Sequence, residues 1–207
     1  MDEDLLLAFQ QKPASIPEWA GETAMTAITP PIAVLRAAAG INLQAFMARM
    51  ARRWQQNGLI VAGVVEETGN DAEGAVCGGL SLRNLVTNQS YAISQDLGPG
   101  STACNLDPAG ISEACHAVET ALHQGCDVVF LSKFAKQEAA GSGLVDAFRQ
   151  AMLAEVPVVT CVSSMVTEEW RQFADGLAIE LPPDAGALEI WWRAQRSDRK
   201  APLDRAG

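Results

Sequence analysis

The stretch 128-VVFLSKFAKQEAAGSGLVDAFRQAMLAEVPVVTCV-162 decides how this chain is read. It opens on an apolar run, VVFLS (128–132). It passes through a loop with Lys133, Lys136, Glu138, Gly141 and Gly143, continues as a helix predicted over 144–154, and closes on a second apolar run, PVVTCV (157–162). Short apolar runs without alternation are strands buried on both faces. Two such strands joined through a helix lie parallel, with the helix packed on the sheet.

The same unit recurs on either side. IAVLRA is an apolar strand that leads through Ala-Ala-Ala-Gly40 into a helix with Leu43, Phe46, Met47, Met50 and Trp54 at core spacing. Asn57-Gly58 stops that helix, and LIVAGVVEE (59–67) is the next strand. Asp107 as N-cap and Pro108 at N1 start a helix striped with Ile111, Cys115, Val118 and Leu122, which Gly125 ends. After 162 come a helix around Glu168–Ala174, a strand LAIEL (177–181) and a helix from Asp184 to about Gln195. The expected fold is α/β: a mostly parallel sheet with helices on both faces, three layers in all. A β-hairpin insertion is expected around 77–95, turning at Thr87-Asn88-Gln89. Residues 1–28 read as an N-terminal extension broken at Pro13 and Pro17, 29–195 as a single domain, and 196–207 as a flexible tail.

Composition narrows the function. The chain has 207 residues, 48% hydrophobic and 19% charged, the balance of a globular domain with a full core. A net charge of −10 and a pI near 4.6 speak against a nucleic-acid partner, and Arg49, Arg52 and Arg53 read as a solvated helix face. No run reaches the length of a membrane span, and the start MDEDLLLAF lacks the bases of a signal peptide, so the expected location is cytoplasmic. The five cysteines contain no C-x-x-C pair and read as thiols. The composition leaves a protein partner or a homo-oligomer open.

Three loops at strand ends are candidate sites, because ligands in open α/β sheets sit at the carboxyl edge. At the first strand-to-helix turn a phosphate-binding loop needs G-x-x-x-x-G-K-[ST]. The chain offers Leu35 to Asn42, in which only Gly40 fits: Ile41 stands at the lysine position and Asn42 at the hydroxyl position. The turn is an ordinary connection or the remnant of a phosphate loop, with Arg36 as an optional anion contact. The second loop, 94-SQDLGPGSTACNLDP-108, brings Asp96, Gly98, Gly100 and Ser101, whose backbone can present N–H groups to an anion. In the third, Ser132 stands where a magnesium-binding acid would be expected. Lys133 is an anion contact with Glu138 as its orienting partner, beside Lys136 and Gly141. These loops are expected to meet in one cleft beside Gly40. Each has a plainer reading, as a connecting loop or a solvated surface.

Further signals are weaker. His116, Glu119 and His123 share one helix face, which is ordinarily solvated; no metal is assigned to them. The two histidines lie away from strand carboxyl edges, which speaks against a hydrolase triad. Cys104, just before a helix N-terminus, is the candidate functional thiol with Cys77 as its neighbour, whereas Cys115 and Cys161 are expected buried and inert. Trp191-Trp192 offers a partner anchor, with one of the two expected in the core.

The segments I-S-Q-D-L-G-P-G-S (93–101), C-x-L-D-P (104–108), K-F-x-K-x-E-x-x-G-x-G (133–143) and W-x-x-F-A-x-G-L (170–177) resemble a bacterial family of unknown function, domain of unknown function 2478. That family is grouped with the P-loop nucleoside-triphosphatases and is often encoded near molybdate-transport genes. The likeness covers roughly residues 59–183. The chain departs from the family pattern at Ser132, where asparagine is usual, and at Ala135, where glycine is usual. The resemblance implies a P-loop-like fold and a link to molybdenum metabolism. The expected ligand is a small anion, nucleotide or molybdate, bound by an accessory or regulatory component. A divergent nucleoside-triphosphate hydrolase and a protein–protein module, contacting through the N-terminal extension and Trp191-Trp192, are the alternatives.

Overall fold

A computed structural model of the chain describes residues 29–37, 39–68, 79–95 and 105–200. In chain order the elements are β1 (Ile32–Leu35), α1 (Leu43–Gln56), β2 (Val61–Thr68), β3 (Leu80–Asn84), β4 (Ser90–Ala92), β5 (Ser94–Gln95), β6 (Asn105–Leu106), α2 (Pro108–Gln124), β7 (Val128–Leu131), α3 (Lys136–Ala139), α4 (Val145–Leu153), β8 (Val158–Cys161), α5 (Thr167–Ala174), β9 (Ala178–Leu181) and α6 (Ala185–Lys200). A 3₁₀ turn, Ser164–Val166, precedes α5.

The main sheet has seven strands in the order β4-β3-β2-β7-β8-β1-β9. The steps from β2 through β7, β8 and β1 to β9 are all parallel, while β3 and β4 add to β2 antiparallel. The hairpin falls within the expected 77–95. Its turn is tied by buried Asn84, whose Oδ1 accepts the Val86 and Thr87 amides at 2.8 and 3.1 Å. Asn88 takes a φ of 60°, a conformation asparagine tolerates. Val34 on β1 pairs with Thr160 and with Glu180, so β1 is flanked by a strand on each side.

Each parallel strand deals its residues alternately to two cores, which is why the apolar runs are continuous. Ala33 and Leu35 of β1 face α1 and α6, packing with Phe46, Met47, Trp54, Leu188 and Trp191. Ile32 and Val34 face α2, α4 and α5, packing with Val118, Phe148 and Trp170. Asp107 caps α2 through the Ala109 amide (3.0 Å), and Gly125 ends it at a φ of 91°. Asp184 caps α6 through the Ala187 amide at 2.9 Å.

Two expectations need correction. Both tryptophans of the doublet are buried, at 0% and 4% exposure. Trp192 stacks on Trp54 with centroids 5.3 Å apart, and Trp191 donates its indole N–H to the Pro30 carbonyl at 2.9 Å. The helix is wedged between α1 and the chain entering β1, so it buries two neighbouring positions rather than one stripe. For the same reason α6 runs on to Lys200, beyond the expected end near Gln195: Gln195 donates to the Thr29 and Pro30 carbonyls, and Asp198 accepts the Thr29 amide at 3.0 Å.

Candidate functional site at the carboxyl edge of the sheet

The carboxyl ends of the parallel strands carry two turns of similar sequence position and different construction. The first follows β1. Gly40 lies in it, exposed, and α1 begins at Leu43 with Asn42 as N-cap. Asn42 Oδ1 accepts the Ala45 amide at 3.0 Å, so one of the amides at the helix N-terminus is capped from within the chain. Gln44, in the first turn of α1, reaches the ends of β2 and β7. Its Nε2 donates to the Ser132 carbonyl at 2.6 Å, and its Oε1 accepts the Glu66 amide at 2.8 Å. Cys161 Sγ donates to the same Ser132 carbonyl at 3.2 Å, and burial pushes that thiol up to about 11, with the Lys133 charge opposing. Arg36, just after β1, pairs with exposed Glu180 of β9 at 2.7 Å.

The second turn follows β7. Phe134 extends the sheet by a parallel bridge to Val162 and sinks into an aromatic cluster with Phe148, Trp170 and Phe173. That anchor leaves Lys133 directed to the rim. Its Nζ lies 2.6 Å from Glu66 Oε2, and that carboxylate oxygen is buried with no other partner among the described residues. Glu138 is buried, at 7% exposure. Its Oε2 accepts the Ala135 amide and its Oε1 the Leu144 amide, both at 2.9 Å. The expected Lys133–Glu138 partnership is therefore replaced: Glu138 holds the loop's own backbone, and Glu66, from β2, holds the lysine.

The two glycines of the loop follow from the same geometry. Gly141 ends α3 at a φ of 80°. Gly143 has a φ of 66°, and a Cβ there would meet Glu138 Oε1 at 2.2 Å. The spacing of Lys133, Phe134, Glu138, Gly141 and Gly143 thus encodes one object: a loop pinned by an aromatic, closed over a carboxylate, with a lysine at its rim.

Between this loop, the hairpin and the start of α2 lies a cleft of about 450 Å³. Leu82, Ile93, Leu106, Ile111, Leu144 and Met165 form its apolar walls, while Glu66, Lys133 and Lys136 are its charged groups near the strand ends. Ile93 fixes one wall: its amide donates to the Leu80 carbonyl and its carbonyl accepts the Asp107 amide, each at 2.9 Å. Of the sequence-predicted residues, Lys133, Lys136 and Glu138 line this cleft; Gly40 and Gly141 are not among its lining residues. Asp96, Gly98, Gly100, Ser101, Cys104 and Cys77 lie outside the described residues.

Sequence reasoning missed Glu66, Gln44 and the apolar walls. The signal for Glu66 was present, since an acid interrupts the apolar run of β2 near its carboxyl end. Cys115 is buried and burial raises its thiol to about 11, in line with the expectation of an inert group. Among the described residues no cluster of His, Cys, Asp and Glu suits a metal ion, and no helix is long and apolar enough to cross a membrane.

The family model "Protein of unknown function (DUF2478)" matches residues 32–191. The chain belongs to this family. A curated relative, "Molybdenum import ATP-binding protein ModC 2" of Bradyrhizobium diazoefficiens, is 35% identical over 159 residues. The match covers 77% of this chain and 18% of that protein, so the chain corresponds to a small part of the relative's length. Among solved structures, THEP1 from the hyperthermophile Aquifex aeolicus superposes with a TM-score of 0.52 at 14% identity, covering 78% of this chain and 93% of that one. A human cancer-related nucleoside triphosphatase superposes with a TM-score of 0.52 at 11% identity, covering 82% and 96%. The fold is that of the P-loop nucleoside-triphosphatases, as expected for the family.

Proposed function

We propose that this protein binds a small anionic ligand, a nucleotide or an oxyanion, at the carboxyl edge of its sheet without hydrolysing it, and serves as an accessory or regulatory component in molybdenum metabolism. The observation that carries the binding reading is Lys133, held at the rim of a cleft by Glu66 and by the anchored loop. The chain is 35% identical over 159 residues to a segment of a molybdenum import ATP-binding protein, which supports the metabolic assignment.

The residues at the β1–α1 turn do not fit a magnesium-bound triphosphate. A phosphate loop supplies a lysine, a hydroxyl and free helix amides. Here Ile41 and Asn42 stand at the first two positions, and Asn42 itself caps the helix. The side chain that reaches the end of β7 is Gln44, with its amide spent on backbone groups. Phosphoryl transfer rests on positioning and electrostatic stabilisation, and both are lacking at that turn.

Two measurements test the reading. Thermal-shift titration with ATP, GTP, molybdate, tungstate, sulfate and phosphate should reveal a stabilising anion; saturation at 100 times Kd raises stability by about 2.7 kcal/mol. The shift should shrink in Lys133→Ala. Magnesium-dependent release of phosphate from ATP or GTP should stay at background. Steady turnover abolished by Lys133→Ala would turn the assignment into a divergent hydrolase.

A further inference from the structure

We infer that the cleft selects an organic anion with an apolar or aromatic body, rather than a bare inorganic oxyanion. This rests on the anion-binding reading above and names the ligand class for that site. The cleft's volume of about 450 Å³ falls inside the ordinary range for small-molecule sites, ~300–1,000 Å³. A tetrahedral oxyanion is far smaller and carries charge on every side. It needs donors all round, and burial against hydrocarbon strips its hydration without replacement. The walls here are Leu82, Ile93, Leu106, Ile111, Leu144 and Met165, and the nearby charge is gathered at Lys133, Lys136 and Glu66. Glu138 lines the cleft as well, but its two oxygens already accept the Ala135 and Leu144 amides.

The lining is thus polarised: hydrocarbon over most of its wall, and charged toward the ends of β2 and β7, where Lys133 and Lys136 stand beside Glu66 and Glu138. A ligand that matches it has one anionic head and a hydrophobic body. The head meets Lys133, whose side chain keeps 42% of its exposure, and the body lies against the leucine and isoleucine walls. An aryl carboxylate and a nucleoside monophosphate share this chemistry.

The probe is 8-anilinonaphthalene-1-sulfonate, titrated into the full chain and followed by fluorescence. Saturable binding is expected. Lys133→Met should weaken it about tenfold through the head. Leu106→Glu, at a position already 40% exposed and so safe for folding, should weaken it comparably by placing a carboxylate on an apolar wall. 1-Naphthoate or AMP should displace the probe, the first assigning an aryl acid and the second a nucleotide. Molybdate and phosphate at the same concentrations should leave it bound. Displacement by molybdate or phosphate as readily as by the organic anions would overturn the class while sparing the anion-binding reading. Probe binding unchanged in both variants would remove the cleft as its site.

Discussion

The β1–α1 turn and the β7–α3 turn stand at the same edge of one sheet and have been put to opposite uses. At the first, the side chains turn inward: Asn42 caps its own helix, and Gln44 ties that helix to Ser132 and to the Glu66 amide. At the second, the inward work is done by Phe134 and Glu138, which frees Lys133 for the rim of the cleft. The lesson is that the carboxyl edge of the sheet fixes where a site can be, and the side chains decide which of the converging loops becomes it.

The strongest way to break this comparison is to remove the support of the second turn. Glu138→Ala leaves the amides of Ala135 and Leu144, one partly and one fully buried, without acceptors. The expected loss is about 3 kcal/mol, read as a lower urea midpoint. Gly143→Ala should move in the same direction, because its Cβ would displace the same carboxylate.

Next in size is an alkaline effect at Cys161, which shares the Ser132 carbonyl with Gln44. Burial raises this thiol from 9.0 to about 11. The unfolded chain therefore releases the proton first as pH rises. Stability is whole below pH 9 and falls as pH climbs toward 11, by about 1.4 kcal/mol for each unit of difference. Denaturation midpoints of the protein and of Cys161→Ala, compared across that range, should converge at high pH. A constant gap would show that the thiol does not stay protonated in the folded seam.

The sealed turn gives a smaller effect. Gln44→Ala removes a partly buried acceptor and donor, and should cost about 1–2 kcal/mol. It should confer no nucleotide hydrolysis, since neither a lysine nor a hydroxyl is gained. Turnover in that variant would mean that Gln44 is a plug in a working phosphate loop.

How much of this could be read from residues alone follows the range of the interactions. β1, β7 and β8 are short apolar runs, and the Asp107 cap acts within two positions, so both were legible, as was the helix start at Asp184. The short helix α3 was not. It exists because one carboxylate is shared by Ala135 and Leu144, a contact that no periodicity announces. Likewise Lys133 was recognisable as a candidate, but its partner lies on a strand that adjoins β7 only after the sheet forms. The apolar walls came from residues scattered over β3, the end of the hairpin, β6, α2, the start of α4 and the 3₁₀ turn, and no single segment announces them.

Lys133→Met is the finest test, because it separates a lysine kept for a ligand from one kept for the fold. The lysine side of the pair is 42% exposed, but Glu66 Oε2 is buried and has no other partner among the described residues, so losing the ammonium should cost about 1–2 kcal/mol. Methionine retains the apolar stem that runs along the cleft, and so isolates the charge. The expected outcome is a urea midpoint lowered clearly less than in Glu138→Ala, together with about tenfold weaker binding of an organic anion. Lys133→Arg should restore much of that binding, since the charge returns at the rim. If the midpoint instead falls as far as in Glu138→Ala, the charge is a structural tie to Glu66. The two turns would then differ only in which side chain closes them, and neither would be built for a ligand.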